Sequence, residues 1–329
     1  MVETLKDIGE RALIAKFEKF VDKGDLPFND DAEAFPITKR KSMVVKIDTF
    51  VAKTDAPPNM TTYQMGAKAV TLSVSDFAAK GVQPEYILAS GAFPDSLTVN
   101  QTIDLVKGIS DTTHFYGAKF LGGDTNSAND IIVSSVAIGR RETNRLIKRA
   151  TSNDEDIICT TGLFGLTGAG FKVFLNDYIC SKKQREKFGN AIFNPKARLQ
   201  EGVFFSKTGK ITSCIDSSDG LAWCLKELLR NKNNFGIIID RLPISPEVIA
   251  FAKNNYLSSD DLALYGGEEF ELVFTLKKDD LKIFDRKFTI YPMGKVTKDF
   301  PGKIMLKKPH GFEEIKPKGW EHFSNKDYI

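Results

Sequence analysis

Aspartate residues that stand inside apolar segments are the most informative feature of this 329-residue sequence. Asp76 is the clearest case, because at about 100° per residue it falls on the same helical face as Met65, Ala69, Leu72 and Ala79. The opposite side of that helix is also apolar, so we expect the helix to be buried. A buried carboxylate needs a partner, which would be a metal ion, a helix cap or a buried salt bridge.

Asp48 lies within a predicted strand, residues 43–51. Side chains alternate between the two faces of a strand, so the residues at 43, 45, 47, 49 and 51 share one face. These are apolar or β-branched, and we expect them to pack on the core. Lys46 and Asp48 are then expected to point to the opposite side.

Two glycine pairs are each followed by acidic residues. The first pair contains Gly123, follows a strand predicted at 119–121 and precedes Asp124. Glycines in a turn there would let backbone amides approach a phosphate group. The second pair, 266–267, precedes three glutamates within 268–271. Taken alone, that run is also typical of an ordinary turn with solvated charges.

Asp216 and Asp219 lie between a strand predicted at 211–215 and a helix predicted at 221–229. Ser218 or Asp219 is suited to cap the start of that helix, since serine and aspartate are preferred capping residues. Capping would explain one carboxylate of this turn and leave the other without a role.

Carboxylates beside glycine turns at strand ends are typical of Mg²⁺ and phosphate chemistry, because Mg²⁺ prefers oxygen ligands. The sequence has no GxxxxGK[ST] loop, and the turn at 162–170 lacks the third glycine of GxGxxG. Cys159, Cys214 and Cys224 fall in predicted strands or helices with no histidine beside them, which does not favour cysteine catalysis. The residues therefore predict a site where several metal ions hold most of the phosphate groups.

Seven short motifs, in order along the chain, resemble those of the thiamine-monophosphate kinases. This family belongs to an ATP-binding superfamily that includes aminoimidazole ribonucleotide synthetase, selenophosphate synthetase and a hydrogenase maturation protein. The motifs are DDA at 30–32, DTFV at 48–51, SDFAAKGVQP at 75–84, GGDT at 122–125, DSSDGL at 216–221, GGEEFEL at 266–272 and GWEHF at 319–323. The last of them favours the kinases over their superfamily relatives.

The resemblance implies transfer of the γ-phosphate of ATP to thiamine monophosphate, giving thiamine diphosphate and ADP with several Mg²⁺ ions as cofactors. The implied Mg²⁺ ligands are Asp31, Asp48, Asp76, Asp124, Asp216 and Asp219. The implied ATP contacts are Gly123, Asp124, Arg149 and Ser218, and the implied substrate contacts are Asp55, Glu268 and Trp320. The acceptor oxygen is already ionised near neutral pH, so neither a general base nor a covalent nucleophile is expected.

Four residues depart from the family pattern: Asn29, Asp55, Glu269 and Phe270. Asp55 stands where many bacterial members have a substrate-contacting histidine. Because the metal ligands are intact, these departures affect the fit of the substrate rather than the chemistry.

Two other functions stay open. One is another ATP-dependent enzyme of the same superfamily, although selenophosphate synthetase would be expected to carry a reactive cysteine near the N-terminus and the first here is Cys159. The other is a non-catalytic nucleotide-binding homologue, which would be expected to have lost metal-binding carboxylates. None of those carboxylates is lost in this sequence.

The elements that would position these residues alternate between helix and strand, which predicts an α/β (α+β) fold with two domains. Residues 1–140 are predicted to form an ATP- and Mg²⁺-binding domain with a mixed sheet, and residues 141–329 an α/β domain that completes the active-site cleft. The boundary lies in the polar, basic stretch 140–149. Residues 25–41 are predicted to be a loop, and the tail from 299 is predicted to be irregular.

The charge balance, 46 Lys and Arg against 43 Asp and Glu, argues against a protein whose main partner is nucleic acid or an anionic membrane. No signal peptide or membrane-spanning segment is recognised, so we expect a soluble, cytoplasmic protein with reduced cysteines. The small sheet predicted before residue 140 has an edge that needs a cover. This edge predicts a homodimer, and the resemblance implies that the N-terminal sheets of two copies pair.

Overall fold

The computed structural model describes residues 3–323, and it confirms the predicted α/β fold class. The first of its two sheets contains β1 (Glu33–Thr38), β2 (Lys41–Val51), β3 (Pro84–Phe93), β4 (Lys119–Ser127) and β5 (Ile132–Glu142). The strand order is β1-β2-β5-β3-β4. The sheet is mixed, because β3 and β4 are parallel and the other neighbours are antiparallel.

The second sheet has seven strands in the order β12-β11-β8-β10-β6-β9-β7. They are β6 (Ile157–Thr160), β7 (Ile211–Asp216), β8 (Gly236–Ile239), β9 (Leu272–Leu276), β10 (Tyr291–Thr297), β11 (Ile304–Lys308) and β12 (Gly311–Glu314). All neighbours are antiparallel except β8 and β11, which are parallel.

Helices pack on both sheets. Those of residues 3–323 are α1 (Leu5–Phe17), α2 (Ala52–Asp55), α3 (Thr62–Lys80), α4 (Val99–Phe115), α5 (Leu166–Leu175), α6 (Lys182–Phe193), α7 (Leu199–Thr208), α8 (Leu221–Leu228), α9 (Pro246–Asn254), α10 (Ser259–Tyr265) and α11 (Leu281–Asp285). Each helix in this part of the chain is too short or too polar to cross a membrane.

Helix α3 is the central element, because it packs against β2, β5 and α4 and also against β7 and α7. Thr61 caps its first turn, and Gly81 ends it in the left-handed conformation with a φ of 70°. A Cβ atom on Gly66 would lie 2.0 Å from the carbonyl oxygen of Leu105, so α4 can approach only because this residue is glycine. Most of α3 is buried, as predicted, and Asp76 is one of its buried residues.

Two predictions of irregular structure were wrong. Residues 25–41, predicted to be a loop, contain β1, in which Ala34 is the one buried residue. The predicted irregular tail contains β11 and β12, and β12 has no buried residue. Strands β1 and β12 lie at sheet edges and are held by backbone pairing. They therefore lack the alternation of apolar and polar residues that would reveal them in the sequence.

The prediction of a glycine turn after residue 121 was also wrong, because β4 continues to Ser127 beside β3. A Cβ atom on Gly123 would lie 1.7 Å from the carbonyl oxygen of Ala89 on β3. The glycine is therefore needed for the close pairing of the two strands.

The buried and exposed faces of strand β2 are the reverse of those predicted. Val44 and Phe50 are buried on the face that also carries Lys46 and Asp48, since side chains alternate. Ile47, which was expected to face the core, is 61% exposed. The charged pair lies on the inner face because a cavity lined by several carboxylates adjoins the core there.

The predicted domain limits stay a prediction. Strand β5 runs through the proposed boundary to Glu142, and the second sheet begins at Ile157. One cluster of buried apolar side chains nevertheless includes residues of both sheets, such as Val44 and Phe274. The two parts of the chain therefore share a core.

Candidate active site

A cavity of about 540 Å³ is bordered by α1, β2, α3 and the turns that follow β7 and α10. It brings together ten of the twelve residues that sequence reasoning assigned to a site. They are Asp31, Asp48, Asp55, Asp76, Arg149, Asp216, Ser218, Asp219, Glu268 and Trp320.

Asp31, Asp76 and Asp216 form the buried centre of this cavity. Asp31 precedes β1, Asp76 lies on α3 and Asp216 ends β7, so three distant segments meet here. Each carboxylate offers one oxygen atom, and the three atoms lie within 4.8 Å of one another. Buried oxygen donors at this spacing fit a hard divalent cation such as Mg²⁺.

Two carboxylates of this cluster are difficult to ionise. Burial raises the pKa of Asp76 well above its ordinary value, against the effect of Lys46 and with a contribution from Asp216. Burial, together with the charge of Asp31, raises the pKa of Asp216 to about 6. The Asp216 carboxylate accepts a hydrogen bond of 2.7 Å from the Ser75 hydroxyl. A bound divalent cation would stabilise the ionised forms.

Lys46 is a cation of the site that sequence reasoning missed. Its Nζ lies 2.9 Å from Asp76 Oδ2 and 3.4 Å from Asp48 Oδ1. Although burial opposes it, the negative charges of Asp48 and Asp76 raise the pKa of Lys46, so the side chain is an ammonium ion. Its place on the same strand face as Asp48 was the available signal.

Arg149, predicted to contact ATP, holds Asp31 from the edge of the cavity. Its guanidinium group forms an ion pair with Asp31 and lies 3.1 Å from the Glu227 carboxylate. It also donates a hydrogen bond of 2.9 Å to the carbonyl oxygen of Asn29. The buried Lys80 binds the other side of Asp31 at 2.8 Å. The charges of Arg149 and Lys80 outweigh burial and lower the pKa of Asp31. Asp31 is therefore ionised in this arrangement.

Arg11 of α1 closes one end of the cavity, which nothing in the sequence pattern indicated. A guanidinium nitrogen of Arg11 lies 3.1 Å from Asp219 Oδ2. The same nitrogen donates a hydrogen bond of 2.8 Å to the carbonyl oxygen of Trp320. Its guanidinium carbon lies 3.5 Å from the ring centre of Trp223. Cation–π contact and hydrogen bonds together tie α1, the turn after β7 and the C-terminal tail to one another.

Neither Ser218 nor Asp219 caps α8, so that alternative was wrong. Gly220, with a φ of 107°, precedes the helix, which has no side-chain cap. The carbonyl oxygen of Ser218 accepts a hydrogen bond of 2.7 Å from the Glu268 N–H. The carbonyl oxygen of Asp219 accepts a hydrogen bond of 3.1 Å from the Trp320 N–H. The turn is thus held by backbone bonds, and its side chains line the cavity.

The glutamates at 268–271 are partnered within the protein, so a solvated turn was also the wrong alternative. Both Glu268 oxygens lie 2.7 Å from Lys68 Nζ. Glu269 accepts two backbone N–H bonds at the start of α5, and burial raises its pKa to about 7. Glu271 accepts 2.7 Å from Arg198 Nε. Glu268 is the one of the three that lines the cavity.

Gly123 and Asp124 do not line the cavity. Asp124 is exposed and lies opposite Ser90 in the β3–β4 register. That row continues through Ser134 to Thr49, on the face of the sheet away from Val44 and Phe50. The roles predicted for Gly123 and Asp124 stay predictions.

Known proteins share this fold and sequence. The family model for the N-terminal domain of AIR synthase related proteins matches residues 29–141. A thiamine-monophosphate kinase of Nitrosopumilus maritimus is 35% identical over 302 residues, which cover 90% of this chain and 93% of that protein. The chain belongs to the thiamine-monophosphate kinase family. Its relative in Pyrococcus horikoshii is 34% identical over 324 residues, which cover 97% of this chain and 96% of that kinase.

The fold of this thiamine-monophosphate kinase family member also matches a solved structure. AaThiL complexed with AMPPCP and TMP superimposes with a TM-score of 0.86 at 23% identity, over 98% of this chain and 99% of that one. At this identity the match shows the fold, including both sheets. The family resemblance inferred from the seven motifs is confirmed by the sequence relatives.

Proposed function

We propose that the protein is a Mg²⁺-dependent kinase that transfers the γ-phosphate of ATP to thiamine monophosphate, giving thiamine diphosphate and ADP. The observation that carries the proposal is the buried cluster of Asp31, Asp76 and Asp216 in the cavity of a chain of this family. The solved relative with AMPPCP and TMP supports the choice of an ATP-dependent reaction on a thiamine phosphate.

The charges of the cavity suit a reaction between two polyanions. Mg²⁺ held by Asp31, Asp76 and Asp216 would screen the phosphate groups when bound. Lys46 and Arg149 place further positive charge beside those carboxylates. The acceptor phosphate is already ionised, so the chain has no proton to remove, and its task is to orient the two substrates.

Cys224 lines the cavity but does not suit covalent catalysis. It is buried, and its Sγ lies 3.3 Å from the carbonyl oxygen of Asp216. Burial raises the pKa of its thiol well above the ordinary value. A buried, protonated thiol is a poor nucleophile, which supports direct transfer of the phosphoryl group.

An ADP-release assay tests the proposed reaction. We expect ADP formation that requires both thiamine monophosphate and Mg²⁺. ADP formation that is independent of thiamine monophosphate would favour another ATP-dependent enzyme of the superfamily. Absence of ATP turnover under all conditions would favour a non-catalytic nucleotide-binding homologue.

Trp320 is proposed to contact the substrate rings, and Asp55 and Glu268, which also line the cavity, are proposed to contact the same substrate. Trp320→Ala is expected to raise KM for thiamine monophosphate about tenfold, because loss of an aromatic contact of roughly 1.4 kcal/mol changes affinity by that factor. KM for ATP should barely change, since its phosphates are proposed to lie at the aspartates. Steady-state kinetics measure both constants.

The control for Trp320 is Phe312→Ala, which removes another half-exposed aromatic ring of the C-terminal region. Phe312 lies on β12 and does not line the cavity. The Phe312→Ala variant should leave KM for thiamine monophosphate and KM for ATP unchanged. An equal rise of the two KM values in Trp320→Ala would contradict the proposed substrate contact.

The protein is further proposed to be a homodimer joined through its first sheet. The face of this sheet away from Val44 and Phe50 carries exposed apolar side chains. They are Phe35 at 50%, Ile47 at 61%, Tyr86 at 37% and Leu121 at 57% exposure. Such a patch favours association with another apolar surface, and pairing of two such faces would cover it.

Light scattering at micromolar concentration should give a mass of twice 36.6 kDa. Ile47→Asp should shift the protein toward the monomer, because it places a charge at the centre of the apolar face. Ile249→Asp is the control, because Ile249 of α9 is also exposed, at 50%, and lies outside the first sheet. A wild-type mass of 36.6 kDa would exclude the dimer.

A cytoplasmic location is also proposed, without a nucleic acid or membrane partner. The near balance of 46 basic and 43 acidic residues supports this part of the proposal. Fractionation of cells that express the tagged protein tests the location.

A further inference from the structure

Lys68 of α3 is fully buried and yet lies beside the cavity. Its ammonium group has three donors, and all three have acceptors. Nζ lies 2.7 Å from each oxygen of Glu268 and 2.6 Å from the carbonyl oxygen of Asp55. Lys68 does not line the cavity, whereas Asp55 and Glu268 both do.

The two partners of Lys68 come from distant parts of the chain. Asp55 ends the short helix α2 after β2, and its carboxylate accepts 2.7 Å from the Val51 N–H. Glu268 follows α10, 200 residues from Lys68 in the sequence. Lys68 therefore connects a wall segment from the first sheet with a wall segment from the second half of the chain.

The segment that contains Glu268 needs such a restraint. Glu268 has a φ of 57° and Gly267 a φ of 43°, and the left-handed region is unfavourable for glutamate. The Glu268 N–H bonds to the Ser218 carbonyl oxygen at 2.7 Å. Backbone and side chain of Glu268 are thus held from two directions, and Lys68 provides the side-chain restraint.

We infer that Lys68 is a positioning residue that sets the separation of Asp55 and Glu268 and so shapes the thiamine end of the cavity. The inference rests on the proposed function, which assigns that wall to thiamine monophosphate. A bidentate pair and a backbone acceptor fix the ammonium at one point, and both wall segments are fixed through it. Within residues 3–323, the hydrogen bonds of Lys68 go to Asp55 and Glu268 and not to Asp31, Asp76 or Asp216. We therefore expect this contact to affect the fit of the substrate rather than the binding of the metal.

The first test replaces Lys68 with methionine, which fills a similar volume without the charge. KM for thiamine monophosphate should rise at least tenfold, while KM for ATP should change less than threefold. Lys107→Met is the matched control, because Lys107 is an exposed lysine of α4 that pairs with Asp111. It should leave both constants unchanged.

The double variant Lys68→Met/Glu268→Gln separates positioning from folding. It leaves no unpaired buried charge, so it should melt at a higher temperature than Lys68→Met alone. Its KM for thiamine monophosphate should still be raised at least tenfold. If Lys68→Met does not fold, hydrogen exchange of the double variant decides the question, because Glu268 is itself a proposed substrate contact and KM alone does not isolate Lys68. Recovery of the normal KM together with stability would overturn the inference.

Hydrogen exchange of the metal-free and nucleotide-free protein gives a readout that is independent of activity. Lys68→Met, or the double variant, should exchange faster in both 52–57 and 266–270, whereas Lys107→Met should match the wild type. Unchanged exchange in either segment would overturn the inference even if the protein is a kinase. Absence of wild-type kinase activity with the expected exchange would instead contradict the proposed function alone.

Discussion

Asp76→Asn is expected to lower kinase turnover at least about a thousandfold, because loss of roughly 4 kcal/mol of metal-dependent stabilisation corresponds to three factors of ten. Asparagine keeps the shape of the side chain but removes the negative charge at the centre of the cavity. The protein should stay folded, since burial already raises the pKa of Asp76 and makes its charge unfavourable. Kinetic assays measure the loss of turnover, and the melting temperature shows whether the protein stays folded. Mn²⁺ binding measures the effect of the lost charge on the metal site.

Asp104→Asn is the control for Asp76→Asn. Asp104 is an exposed aspartate of α4, the helix that packs on α3, and this change should leave turnover, melting and Mn²⁺ binding as in the wild type. A merely structural Asp76 would make activity fall no further than stability does. Near-normal turnover of Asp76→Asn would contradict the metal-binding role.

The burial of α3 could be predicted from the sequence, and that of β1 could not. Helix α3 is apolar on both sides, which indicates a buried helix, and Asp76 stands out as a charged residue within it. Strand β1 buries only Ala34 and is held by backbone bonds to β2. Backbone pairing leaves no trace in residue type, so the strand was predicted to be a loop.

The acidic half of the site could be predicted, whereas most of its basic half could not. Asp31 was found through a family motif alone, whereas Asp216 was found through a family motif and through its place after a predicted strand. Arg11 lies on an amphipathic helix, where a charged residue usually faces water. Only the tertiary contacts of Arg11 with Asp219 and Trp320 place it at the cavity.

The prediction for β2 shows why the face of a strand is harder to assign than the strand itself. Alternation correctly grouped Lys46 with Asp48, but their face was predicted to be the one opposite the core. In the structure, Val44 and Phe50 fill the core on that same face, and the two charged residues between them point to the cavity. A strand beside an active site can therefore carry its charges on the inner face.

Asp216→Asn is expected to abolish turnover and, in metal-free protein, to increase the free energy of unfolding near neutral pH. Burial raises the pKa of Asp216 from 3.8 to about 6, so the folded state favours the protonated form. The stability that this provides is fully present below pH 3.8 and is lost as the pH rises toward 6. At pH 7.5 the ionised carboxylate costs up to about 3 kcal/mol, because one pKa unit corresponds to about 1.4 kcal/mol. Asparagine cannot ionise and avoids this cost.

Urea unfolding in EDTA at pH 4 and pH 7.5 measures the effect, which should be small at the lower pH and about 2–3 kcal/mol in favour of Asp216→Asn at the higher. Excess Mg²⁺ should stabilise the wild type more than the variant, because a ligand of the folded state adds to its stability. Asp156→Asn is the matched control, since Asp156 is buried outside the cavity and accepts 2.7 Å bonds from the Asn153 N–H and the Thr212 hydroxyl. That change should destabilise the protein and retain turnover. A lower free energy of unfolding for Asp216→Asn at pH 7.5 would show that the Asp216 carboxylate stabilises the fold. A higher free energy of unfolding together with loss of turnover identifies a charge that destabilises the fold and that the reaction requires.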